Sequence, residues 1–322
     1  MTTFDVNHMA YVDTSSPMGQ SHDKLARDLM RLGDLYGASK IAEAGIQRVG
    51  DQGNTTELWR LRFVKAMVLE AHGHVEQALK YLESLTPPSA EDVESCTSLK
   101  MHRGYYSGLL CRYEIAHRLL AEGDAMAAQA ALPDLQGEIY LSRAFIFFRQ
   151  KDYVSSDRMF RSVMNIAEEV GGWYFQGHSL WGIGKNLMIQ RNYKEAVPWL
   201  EESLGIFERV GARLSIAMVW GELGVCYLGW GDDQKALDLF QRAAEVERDA
   251  GVIHNYQVSL ASIGNVYLHR GDHFTSISYY QRALTLAREI KDPVSIKTWT
   301  YNINLAYARI RAHVDQSGRG TA

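Results

Sequence analysis

Cysteine is scarce in this chain of 322 residues: Cys96, Cys111 and Cys226 are all there are, with no CxxC pair and no Cys/His grouping at zinc spacing. That excludes a disulfide-stapled scaffold and a zinc ribbon, and it predicts buried free thiols in a reducing cytoplasm. Proline is scarce too, six in total, so few positions interrupt a helix. No apolar run reaches the ~18 residues that a membrane-spanning helix requires, so no membrane role is expected. The N-terminus lacks a basic start followed by an apolar block, which argues against a secretory signal. An excess of positive charge is also missing: Lys and Arg number 34 against 38 Asp and Glu, for a net charge of −4. Nothing there favours nucleic acid. These absences together predict a soluble, cytoplasmic protein.

What the chain does have is a repeat. Leu223-Gly224, Tyr227, Gly231-Asp232, Ala236, Phe240 and Ala243 return as Ile263-Gly264, Tyr267, Gly271-Asp272, Ser276, Tyr280 and Ala283. The register is strict: 264 − 224 = 40 and 283 − 243 = 40. A fixed period of this size marks a solenoid of stacked supersecondary units. Within one unit, Val219, Trp220, Leu223, Cys226 and Tyr227 have helical spacing, as do Ala236, Leu237, Phe240, Ala243 and Ala244. Gly231 suits the left-handed end of the first helix and Asp232 the cap of the second, which makes an antiparallel hairpin. Ala144, Gly184, Gly224 and Gly264 share one phase, forty apart. A glycine inside a helix costs about 0.5–1 kcal/mol relative to alanine, so its recurrence predicts a close crossing of the paired helices.

The pattern of aromatic, apolar-Gly, Tyr, Gly-Asp, Ala, aromatic and Ala resembles the tetratricopeptide repeat. The usual unit has ~34 residues, and the additional ones are expected to lengthen the second helix. The longer unit is similar to that of the Pins and kinesin light chain families and of bacterial signalling proteins, most closely at Ile263-Gly264-Asn265-Val266-Tyr267. The resemblance implies an all-α fold, a right-handed α-solenoid of stacked antiparallel hairpins. The expected organisation is an N-terminal arm over 1–21, about six hairpins within 22–313 and a tail over 314–322. The regular register begins at 137, and a solitary capping helix is expected over 294–313. Thr86-Pro87-Pro88-Ser89 breaks the array, and one long helix from about Asp92 to Ala121 is expected to interrupt the period.

The resemblance also implies that the first helix of each hairpin lines a concave groove. Carried over by phase, the groove presents Leu141, Phe145, Arg149, Trp181, Lys185, Met188, Val225, Asn265, His269 and Tyr301. Asn265 matches the family's asparagine that hydrogen-bonds a peptide backbone; its amide offers both donor and acceptor. Lys185, Arg149 and His269 suggest an acidic partner or a C-terminal carboxylate. The Lys/Asn and Lys/Arg spacing of the chaperone-tail clamp is missing.

No catalytic constellation accompanies the groove. Gly182-Ile183-Gly184-Lys185 lacks the preceding strand and following Ser or Thr of a phosphate loop. Gly177-His178-Ser179 is followed by Trp181 where a nucleophile elbow needs glycine. His72-Gly73-His74 sits in a turn without further metal ligands. The sequence therefore predicts a non-enzymatic, cofactor-free scaffold that binds a peptide or partner helix. Two alternatives remain: a sensor that controls an effector such as a caspase-like protease, and a scaffold that self-assembles through its ends or through the arm.

Overall fold

The structure, a computed structural model, describes residues 22–50 and 55–319, with side chains over 22–50 and 56–312. The arm expected over 1–21 lies outside the described residues. Among them the chain is entirely helical. Its fifteen helices are α1 (His22–Leu32), α2 (Leu35–Val49), α3 (Thr55–Ala71), α4 (Val75–Ser84) and α5 (Val93–Leu109), then α6 (Tyr113–Gln129), α7 (Pro133–Arg149), α8 (Tyr153–Val170), α9 (Trp173–Ile189) and α10 (Tyr193–Val210). The series ends with α11 (Arg213–Trp230), α12 (Asp233–Asp249), α13 (Ile253–His269), α14 (His273–Glu289) and α15 (Pro293–Arg319). Odd and even helices pair as seven antiparallel hairpins, and α15 packs alone on α14.

Turn chemistry sets the spacing. Cys111, Ala131, Lys151, Gly171, Arg191, Gly211, Gly231, Gly251, Gly271 and Lys291 all have positive φ, one every twenty residues (131 − 111 = 20, and so on to 291). At all of these but Gly171 the helix ends in a turn whose following amide reaches back: Asp232 N donates to Tyr227 O at 2.9 Å, and Asp272 N to Tyr267 O at 2.9 Å. Asp152, Asp232 and Asp272 then cap the next helix by accepting from the amide three residues on, at 3.0, 3.0 and 3.1 Å.

This even spacing corrects three expectations. The additional residues of the repeat are shared rather than placed in the second helix: α11 has 18 residues and α12 has 17. No long helix runs from Asp92 to Ala121; α5 ends at Leu109 and α6 starts at Tyr113. The turn between them uses Cys111 at φ 61° in place of glycine, so it carries no glycine signal. The thiols are not all buried either. Cys226 is buried, Cys96 is half-buried, and Cys111 is exposed on that turn.

The glycine phase marks the crossing point of each pair. A Cβ on Gly224 would stand 2.6 Å from Phe240 Cε1, one on Gly184 2.7 Å from Leu200 Cγ, and one on Gly264 2.9 Å from Tyr280 Cε1. Gly104, in α5, has the same relation to Leu120 Cγ at 3.0 Å, which extends the register one unit earlier than the sequence shows. Ala144 completes the series, and its carbonyl accepts from Ser156 Oγ at 3.0 Å. Phe160, Phe240 and Tyr280 are each at most 1% exposed, so the partner rings have nowhere to retreat.

The stack curves far enough for its first two hairpins to touch later ones. The Arg31 guanidinium of α1 pairs with Glu138 of α7 at 2.9 Å and lies 5.1 Å from the Tyr174 ring of α9. Gly33 abuts Leu214 at the start of α11. His72 Nδ1 donates to the Gly251 carbonyl at 3.1 Å. The first two hairpins thus close over the groove against the later ones.

Candidate functional site: an aromatic cavity closed by the first hairpin

Because odd helices face inward, their apolar stripes converge. Trp59, Phe63, Met67 and Glu70 on α3 recur at helical spacing, as do His102 and Tyr105 on α5, and Glu138, Leu141 and Phe145 on α7. With Arg27 and Arg31 of α1, Tyr174 and His178 of α9 and Met218 of α11, they surround a cavity of about 1030 Å³. That is at the upper end of the range for small-molecule sites and roomy enough for a short peptide.

The wall is a chain of aromatic contacts. Trp59 stacks on Phe63 with centroids 5.0 Å apart, and Phe63 meets the edge of His102 at 4.6 Å. Tyr105 lies 6.4 Å from Phe145, and Phe145 lies 5.4 Å from Trp181. Tyr174 and His178 meet at 4.6 Å. Rings that brace one another in this way form a rigid apolar surface. The Trp59 Nε1 donor is buried without a hydrogen-bond partner among the described residues.

The cavity's charges are mostly neutralised from within. Arg60 reaches Glu94 at 3.4 Å and Asp23 at 3.7 Å, and Arg27 reaches Asp23 at 3.2 Å. Burial pulls the Arg31 pKa down, but Glu138 and Tyr174 more than offset it, so the net shift is upward. Burial pushes His178 down to about 4 and also lowers His102, so both rings are neutral at pH 7. His102 Nδ1 donates to the Ser98 carbonyl at 3.0 Å, which leaves Nε2 as an acceptor. Glu70 is the exception. Burial pushes its carboxyl up to about 7, and no ion pair or hydrogen bond engages it among the described residues.

The residues expected in the groove fall in several places. Leu141 and Phe145 line the cavity. Trp181 and Met188 are buried behind it in the core shared by α9, α10 and α11, and Val225 packs against the same core. Lys185 pairs with Glu222 at 2.6 Å and lies 4.8 Å from the Trp181 ring. Arg149 donates to the Leu109 carbonyl at 3.1 Å, and His269 contacts Asp233 at 2.8 Å. Asn265 Oδ1 accepts from the Tyr280 hydroxyl at 2.5 Å. Tyr301 is exposed on α15, beside a separate shallow pocket with Val294 and Thr298. Sequence reasoning missed Arg31, Trp59, Glu70, His102, Tyr105 and Tyr174, which belong to the first three hairpins and α9. Arg31, Trp59, Glu70, His102 and Tyr105 precede the regular register that begins at 137, and Tyr174 lies two turns before Trp181 on α9.

Among the described residues, no three His, Cys, Asp or Glu side chains are placed to hold a metal ion, and no helix is long and apolar enough to cross a membrane.

The comparisons agree with this architecture. Residues 176–249 and 259–294 each match a tetratricopeptide repeat model. Those two segments carry the repeat, and the stacked hairpins give the described residues an all-α solenoid fold of tetratricopeptide-repeat type. No curated protein matches it by sequence. Among solved structures, a Rap protein complexed with competence and sporulation factor superposes with a TM-score of 0.65 at 14% identity, over 90% of this chain and 85% of the other. Aspartyl phosphate phosphatase F from Bacillus subtilis gives 0.55 at 13% identity, over 97% and 86%. A signal transduction ATPase with a tetratricopeptide repeat sensor, from Pyrococcus horikoshii, gives 0.52 at 14% identity, over 84% of this chain and 43% of that one. At such identities the likeness is one of fold.

Proposed function

We propose that the chain is a non-catalytic protein-interaction module that holds a peptide segment of its partner in the central cavity. The observation that carries this reading is the cavity itself. It is lined by six successive inner helices, walled by braced rings and covered by the first hairpin. Such a space offers the shape and apolar area that hold a bound segment. The Rap protein of similar fold was captured with competence and sporulation factor, which supports a binding role for a solenoid of this shape. Leu141 and Phe145 would touch the guest, with Trp181 holding Phe145 in place. Lys185, Arg149 and His269 are engaged within the chain, so they lend little support to an acidic partner.

The regulatory reading is the second choice. The first hairpin closes on α7, α9 and α11 through few contacts, so a guest in the cavity would bear directly on that closure. Selection of phage-displayed random peptides on the full chain tests the site. Enriched peptides are expected to bind the wild type and to lose about tenfold or more in affinity on a Tyr105→Ala/Phe145→Ala variant. Peptides that bind both equally would move the site elsewhere.

A further inference from the structure

Of the acids that line the cavity, Glu138 and Glu94 are ion-paired, with Arg31 at 2.9 Å and Arg60 at 3.4 Å. Asp134 is exposed. Asp28 lies close enough to Arg31 to act on its charge. Glu70 alone has neither a cation nor a donor among the described residues. It stands at the inner end of the α3 stripe, one turn beyond Met67. The hydroxyls of Tyr105, Tyr106 and Tyr174 all lie within electrostatic reach of it. Burial raises its proton affinity, and no side-chain ion pair or hydrogen bond engages it among the described residues.

A carboxyl in an apolar, ring-lined space without a counter-ion is costly to ionise. The same arrangement is favourable once a cation arrives. The carboxylate supplies a charge-assisted acceptor, and the faces of surrounding rings attract a desolvated guanidinium or ammonium. The cavity's own cations do not serve: Arg27, Arg31 and Arg60 are already paired with Asp23, Glu138 and Glu94, and Lys24 is exposed.

We propose that Glu70, backed by Tyr105 and Tyr174, is the recognition point for a positively charged group of the guest peptide, an arginine or lysine side chain seated deep in the cavity. The inference rests on the peptide-binding reading above and adds the charge of the guest. It commits to a basic side chain rather than a free N-terminus, because a cavity of about 1030 Å³ lined by six helices has room for peptide residues besides the one at Glu70.

The probes are N-acetylated, C-amidated hexapeptide pools with one position fixed as Arg, Lys, Gln or Glu and the others randomised. A further pool has a free N-terminus and a fixed Gln. Each is titrated into the full chain at pH 8, with tryptophan emission and calorimetry as readouts. The Arg or Lys pools are expected to bind at least about tenfold tighter than the Gln and Glu pools. Glu70→Gln, which keeps the side-chain shape, is expected to erase that preference while leaving weak binding of all pools. Glu70→Asp is expected to keep part of it, and thermal melts of both variants check folding. A preference that survives Glu70→Gln overturns the role of Glu70 but leaves the cavity as the peptide site. Equal binding of all pools by the wild type, or preference for the Glu pool or the free N-terminus, overturns the basic-side-chain assignment. No binding by any pool overturns the peptide-site reading and this inference together.

Discussion

Glu247 provides a quantitative test of how tightly adjacent hairpins pack. It lies on α12 and is 4% exposed, at a register position that Ala127, Phe207 and Ala287 fill elsewhere with apolar atoms. Its Oε2 has no hydrogen-bond partner among the described residues. Burial pushes the carboxyl from 4.5 up to about 7, with the Ser259 hydroxyl pulling it partly back. The folded state therefore holds this proton more tightly than the unfolded chain does. The stability associated with the neutral acid is complete below about pH 4.5 and is lost as pH rises through about 7. At about 1.36 kcal/mol per unit, the whole interval is worth about 3 kcal/mol, of which about 2–3 falls between pH 5 and 8. Glu247→Gln has no proton to lose over that range. Urea unfolding followed by far-UV circular dichroism at pH 5, 6, 7 and 8 gives the difference between variant and wild type. The variant is expected to gain about 2–3 kcal/mol on the wild type as pH rises. Glu70 titrates in both proteins and cancels from the difference. A difference that stays flat across this window would mean that Glu247 is solvated and that the α12–α13 contact is looser than the structure shows.

Gly224→Ala is expected to destabilise by about 1–3 kcal/mol, because the new methyl meets the immobile Phe240 ring. Gly221→Ala, one turn away in open space, should instead stabilise by about 0.5–1 kcal/mol; thermal melts of the two variants check the contrast. Asp232→Ala removes the cap of α12 and should cost about 1 kcal/mol in the same unfolding assay. Arg31→Met should change global stability by no more than about 1 kcal/mol, since the pair with Glu138 is partly exposed. Its expected signature is local: faster amide exchange over 22–49, read by mass spectrometry, as the first hairpin loosens from α7 and α9.

The fold was legible where its signals are local and repeated. A glycine at a crossing point, a left-handed turn residue and an aspartate cap each act within a few residues, so their period of forty survives in the sequence from Ala144 to Gly264. It was illegible where a different residue takes the same conformation. Cys111 at φ 61° adopts the turn that Gly231 and Gly271 adopt, and without glycine α5 and α6 read as a single helix. The groove residues suffered similarly. Phase places Trp181 and Met188 on an inner helix, but only packing decides that they lie behind Phe145 and that Leu141 and Phe145 face the space.

Local chemistry along the chain thus determined an all-helical stack of hairpins, where it turns and which residues cross closely. Tertiary structure alone decided that the stack closes on itself. Arg31 and Glu138 are 107 positions apart, and His72 and Gly251 are 179 apart. Such contacts follow from a small rotation at each successive hairpin, summed over the whole array, and no single repeat encodes the total. That sum gathers six helices around one space, four of them presenting aromatic rings, and leaves Glu70 within it without a partner among the described residues.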